Sequence, residues 1–135
     1  MLKSQFFAVV LVTFLTACAA PENPVSSSPA SISNADSAIA AVKARFPAVT
    51  QIEKTPKGTI GASTNITALD RADGWDLVFW EGWGDCPAGC INNRYYYFSV
   101  KQDGSVAQVG EYARVFNADK NSFDLTGAPM WSVPK

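Results

Sequence analysis

No histidine occurs among the 135 residues. That absence excludes Ser-His-Asp and Cys-His catalysis, histidine metal sites and histidine pH switches. A surplus of positive charge is missing as well: 11 Lys and Arg stand against 12 Asp and Glu. Without a basic face the chain has nothing to neutralise phosphates, so nucleic acid is not an expected partner. Cysteine is scarce, at three. Outside the first eighteen residues there is no long apolar run. Charged residues are only 17% of the chain, whereas apolar residues make up 47%, enough to bury a core within one domain.

Met1 to Cys18 reads MLKSQFFAVVLVTFLTAC. Lys3 gives a positive start, and Phe6 to Leu15 is apolar apart from Thr13, the layout of a secretory leader. Ten residues rise about 15 Å as a helix, half of a bilayer's hydrocarbon, so the run is too short to span. It ends Leu15-Thr16-Ala17-Cys18. This resembles the lipobox of bacterial lipoproteins: a branched apolar residue, two small residues, then the cysteine that is acylated. The resemblance implies cleavage before Cys18, a mature chain anchored in a membrane by acyl chains on Cys18, and, because Ala19 rather than Asp follows, an outer-membrane address in a two-membrane cell; the location expected is the periplasmic side of that membrane. An ordinary leader cut after Ala17 or Ala20 is the alternative.

Residues 1–17 are thus expected to be a leader and 18–33 a tether, AAPENPVSSSPASIS after the cysteine, rich in Pro, Ser and Ala and without helical or strand period. One domain should occupy 34–135. A helix is expected over 35–46: Ser33 or Asn34 can cap it and Asp36 suits its first turn. Ile39, Val42 and Phe46 form one stripe, and Pro47 ends the helix. Strands should follow at Val49 to Glu53, Trp75 to Glu81, Arg94 to Val100 and Ser105 to Tyr112, with Asp103-Gly104 as a hairpin turn. Lys54 to Thr64 reads as a turn or edge, and Phe116, Phe123, Leu125 and Trp131 as a loose tail laid on the core. The fold expected is α+β, one N-terminal helix packed on an antiparallel meander with a disulfide-pinned hairpin loop. Element order and the KQDGSV hairpin resemble small exported domains of the PepSY and cystatin kind over residues 35 to 113, with a cysteine-bearing loop inserted. That resemblance carries no functional residue.

Residues 75 to 98 hold eight of the sixteen aromatics. Alternation places Trp75, Leu77 and Phe79 on one face and Val78 and Trp80 on the other, so both faces are apolar. One should meet the helix. The other needs the C-terminal tail or a partner.

Between these strands lies EGWGDCPAGCINN, residues 81–93. With Cys18 acylated, as the lipobox implies, Cys86 and Cys90 remain to pair in an oxidising compartment. Four roles are open to CPAGC. It can be a structural staple. It can be a staple that also pins a binding loop, presenting Trp80, Trp83, Asp85, Pro87, Arg94 and Tyr96 to a partner. It can be a thiol redox pair, although three residues intervene and no helix start follows. It can bind metal, since the spelling resembles the CxxxC copper chaperones; that family needs a histidine, and two cysteines leave a zinc site half built. Gly82-Trp83-Gly84 fails as a dinucleotide loop at Pro87, and Asn117-Asp119-Asn121 fails as a calcium loop at Ser122 and Ala128. The carboxylate pairs Asp73/Asp76 and Glu81/Asp85 read as turns and edges. Asn65-Ile66-Thr67 is a glycosylation sequon that a bacterial lipoprotein rarely uses.

The expectation is therefore a lipid-anchored envelope protein with no catalytic residues, metal or cofactor. Its domain would be a binding or inhibitor-type module acting through loop 82–93 on an envelope protein or glycan. The alternatives are a structural lipoprotein without a specific ligand and a thiol redox protein.

Overall fold

Asn34 starts the helix. Its side-chain oxygen accepts from the Ser37 N–H at 2.9 Å, capping helix α1, Ala35–Arg45. Asp36 in the first turn and Lys43 and Arg45 in the last complement the helix dipole. Pro47 closes α1 as expected. The structure, a computed structural model, is described over residues 31–131. The leader, the lipobox and Cys18 lie outside those residues.

After α1 come five strands: β1 Thr64–Arg71, β2 Gly74–Trp83, β3 Asn92–Lys101, β4 Val106–Asn117 and β5 Ser122–Gly127. Each pairs antiparallel with the next, so the sheet order is the sequence order. The architecture is α+β, a helix laid on a five-stranded meander with a disulfide in the β2–β3 connection.

The register sorts the side chains. Leu77 stands between Ala68 and Phe98, and Phe79 between Ile66 and Tyr96. All of these face α1, whose Ala38 and Val42 are fully enclosed against them. Alanines on α1 let the helix come close to the sheet, and Phe46 reaches over the end of α1 to Phe98, with ring centroids 4.8 Å apart. Val49 and Ile52 complete this core.

Those two residues correct one expectation. Val49 to Glu53 is not a strand but a 3₁₀ turn, Pro47–Val49, followed by a second turn. Its buried residues are three apart, which suits a helical turn and not the alternation of a strand. A second difference concerns β1, over a segment for which no element was expected. The segment after Thr64 is a full edge strand, although only Ile66 in it is buried. A third concerns the C-terminal part. Instead of a loose tail, β4 runs on to Asn117 and turns into β5, with Phe116 opposite Phe123 in register. The tether also ends earlier than expected. Ile32 is 5% exposed and its N–H donates to the Gln102 carbonyl at 3.0 Å.

Val106 and Val109 cannot both face inward from a regular strand, being three apart. The pairing skips Val109, the bulged residue opposite Tyr97/Phe98, and leaves it exposed while Val106 packs on the core.

The sheet's second face carries Val78, Trp80, Tyr95, Tyr97 and Tyr112. The residues after β5 return across part of it. Trp131 meets Tyr97 edge-on at 5.3 Å, and Met130 lies over Gly110, where a side chain would collide with its sulfur. Tyr95 stacks between Tyr97 and Tyr112, at 6.5 and 5.9 Å. The tail thus covers the β3–β4 part of this face, and Leu125 on β5 stays 63% exposed. Among the described residues no helix is long and apolar enough to cross a membrane.

The molecule has two poles. Residues 31–32 enter beside the β3–β4 turn, and Gln102 in turn bonds Asp73 in the β1–β2 turn. The loops 53–63, 84–91 and 118–121 lie at the opposite end of the strands.

The tyrosines and aspartates set the pH range. Burial pushes the Tyr95, Tyr96 and Tyr97 hydroxyls above the ordinary tyrosine value. The folded chain then keeps protons that the unfolded chain loses, so their contribution holds below about pH 10 and is lost as pH rises beyond it. Hydrogen bonds from Ser105 hold Asp103 below the usual carboxylate value, and those from Asn117 and Lys120 do the same for Asp124. That contribution holds above about pH 4 and is lost as pH falls below it. With no histidine in between, melting temperature should be flat from about pH 5 to 9. It should then fall in step with the tyrosinate absorbance. A slope near neutrality would contradict this.

Candidate functional site

Three of the residues singled out in the sequence meet at the far pole. Helix α1 covers the middle of the sheet, so the ends of β2 and β3 that project beyond it keep their α1-side residues open. Glu81 and Arg94 are directly paired across β2 and β3, Trp83 is paired with Asn92, and Tyr96 with Phe79. On the other side of β3, Tyr96 is paired with Glu111 of β4. Alternation therefore puts Glu81, Trp83, Arg94, Tyr96 and Glu111 on one face.

Arg94 is the centre. Its Nη1 donates to the Tyr96 hydroxyl at 3.4 Å and lies 3.8 Å from Glu81 Oε1. The Tyr96 hydroxyl donates to Glu81 Oε1 at 3.2 Å. Arg94 Nε sits 3.4 Å from Glu111 Oε1, out of line for a hydrogen bond, and is shielded from solvent without a hydrogen-bonding partner. The Tyr96 hydroxyl and the two carboxylates push the guanidinium pKa further up, so Arg94 stays charged. Trp83 is 39% exposed, with its ring 5.9 Å from the guanidinium carbon. Beside this group opens a shallow cleft of ≈ 410 Å³, lined by Ser63, Thr64, Glu81, Gly82, Trp83 and Arg94.

The staple is formed: Cys86 and Cys90 are disulfide-bonded. A 3₁₀ turn, Cys86–Ala88, lies inside it, entered through Gly84 and Asp85 in left-handed conformations, φ 75° and 50°. Ile91 N–H closes the loop on the Gly84 carbonyl at 2.8 Å. The disulfide packs against the sheet's second face. Cys90 Sγ lies 3.6 Å from the Ala62 carbonyl oxygen, and Pro87 abuts Gly61.

Gly82 makes that packing possible. A Cβ there would lie 2.6 Å from Cys90 Sγ and 2.8 Å from the Trp80 ring. Gly82→Ala should therefore lift the staple off the sheet and cost about 1 kcal/mol. Limited proteolysis should show faster cleavage within 84–91. An unchanged cleavage rate would mean the loop accommodates the methyl group.

The remaining candidates fall elsewhere. Trp80 points to the second face, where its indole N–H donates to Asn93 Oδ1 at 2.9 Å and its ring backs the staple. Asp85 and Pro87 are exposed on the stapled turn and do not line the cleft. The imagined Glu81/Asp85 carboxylate pair is replaced by Glu81 with Arg94. Glu81 and Glu111 as partners of Arg94 were missed. Glu81 was open to the alternation of β2, but Glu111 depends on the β3–β4 register behind the Val109 bulge.

No family model, curated protein or solved structure matches this chain. The site's chemistry therefore rests on its own residues. They offer a fixed cation, two carboxylate acceptors, hydroxyls and an open indole face, held between paired strands. That set is suited to reversible recognition.

Proposed function

We propose that the protein is a lipid-anchored envelope lipoprotein whose domain is a non-catalytic binding module, with the far-pole cleft as its contact surface. The supporting observation is the pairing of Trp83 and Arg94, half exposed and preorganised beside a stapled turn. Tryptophan and arginine are the residue types that carry binding energy at interfaces, and rigidity lowers the entropy lost on association. Cys18 supplies the anchor, Ala19 at the next residue supports an outer-membrane address, and the domain is placed on the periplasmic side as part of the same proposal. The partner is an envelope protein or glycan.

The test is capture in cells through a photo-crosslinking residue at Thr64, in wild type and in a Trp83→Ala, Arg94→Ala variant. Each side chain should be worth about 2 kcal/mol of binding, so the double change should abolish capture. Melting temperature should stay within a few degrees, because both side chains are partly exposed. Capture that survives while stability falls would make these residues structural and end the proposal. Capture only of abundant membrane neighbours, unaffected by the change, would instead favour a structural lipoprotein.

A further inference from the structure

We infer that the ligand of the far-pole cleft is an uncharged oligosaccharide; this rests on the binding-module reading and names its ligand class. Sugar hydroxyls both donate and accept hydrogen bonds, and the cleft presents both kinds of partner. Glu81, which lines the cleft, is an acceptor. The exposed part of the Arg94 guanidinium, which lines the cleft, is the donor. Ser63 and Thr64, both hydroxyl-bearing residues, also line it. The open indole of Trp83 gives a flat apolar surface for the C–H face of a pyranose ring.

Charge narrows the class. Glu81, Glu111 and Arg94 together carry one net negative charge, and Arg94 is already shared by both carboxylates and the Tyr96 hydroxyl. A phosphate or carboxylate ligand would approach two carboxylates whose countercharge is engaged. A cationic peptide would have to displace Arg94 from the Trp83 face and from both glutamates. A neutral ligand breaks none of these pairs. The cleft is shallow and open, which fits a chain of sugars lying across it better than an enclosed small molecule. Thr64, Glu81 and Arg94 stand on the paired strands β1, β2 and β3 rather than on a free loop, so little order is lost when the ligand arrives.

The experiment is calorimetric titration of the full-length protein. The probes are neutral tetrasaccharides, namely chito-, cello-, malto-, xylo- and mannotetraose, with a heparin fragment and pentalysine as charged counterparts. At least one neutral tetrasaccharide should bind, and Trp83→Ala, Arg94→Ala and Glu81→Gln should each weaken it at least tenfold. Tyr112→Phe on the opposite face should leave it unchanged. The inference is overturned if no neutral tetrasaccharide binds at millimolar concentration, if binding survives Trp83→Ala, or if heparin or pentalysine binds the cleft instead. Should the sugars fail while Trp83-dependent capture of a protein persists in cells, the ligand class falls and the binding module stands. Should both fail, both readings fall.

Discussion

Replacing Phe98 by alanine should lower the melting temperature by about 15–30 °C. Phe98 is fully buried, 4.8 Å from the Phe46 ring and 5.4 Å from Phe79. It joins the helix end to β2 from its place on β3. Truncating a buried phenylalanine costs about 3–5 kcal/mol. A domain of this size has about 5–15 kcal/mol in total and shifts about 4–8 °C per kcal/mol. Phe98→Leu, which keeps most of the volume, should recover more than half of the loss in a thermal melt. A loss under 1 kcal/mol for the alanine variant would mean that the helix and sheet do not share one core.

The second large effect is expected from opening the staple. Closing so short a loop removes about 2 kcal/mol of unfolded-chain entropy, so Cys86→Ser with Cys90→Ser should lower stability by about that amount in urea titrations. The change should also be local. Cys90 packs on Gly82 and beside Ala62, so its loss frees the turn next to Trp83 while Phe98 and Leu77 keep their packing. Partner capture should weaken without a change in the cooperativity of unfolding. Thiol trapping in growing cells checks the same bond: a pair that stays oxidised under mild reductant is a staple. A mixed or reduced population would transfer the function to thiol exchange.

How much of this was legible beforehand depended on how strongly each segment committed to one period. α1 carried a cap, an apolar stripe and a stop, and all three were readable. β2 and β3 are dense in aromatic and β-branched residues and were read almost to their ends. β1 was missed because an edge strand with a single buried residue, Ile66, has little alternation to show. β5 was missed for a related reason: Phe123 and Leu125 alternate, but over only six residues. Val49 and Ile52 misled because two apolar residues in a short segment fit a turn as well as a strand. The site divides the same way. Trp83, Arg94 and Tyr96 share a parity that counting reveals across one hairpin, and the same count sends Trp80 to the other face. Glu111 required the position of a bulge, which is a property of strand pairing and not of any local stretch.

The two poles have a mechanical consequence. If Cys18 holds the chain to lipid, the tether leads to Ile32 at one end of the strands, and whatever the cleft holds pulls at Trp83 and Arg94 at the other. A ten-residue strand spans about 33 Å, so the cleft stands about that far from the point where the chain enters the sheet. Tension between a fixed ligand and a fluid membrane would run along the strands. The ladder bonds of β2 and β3 would then bear it side by side in shear, whereas a pull across the sheet would peel them apart in sequence. A domain strung in this way can keep hold of an immobile ligand while the membrane beneath it moves.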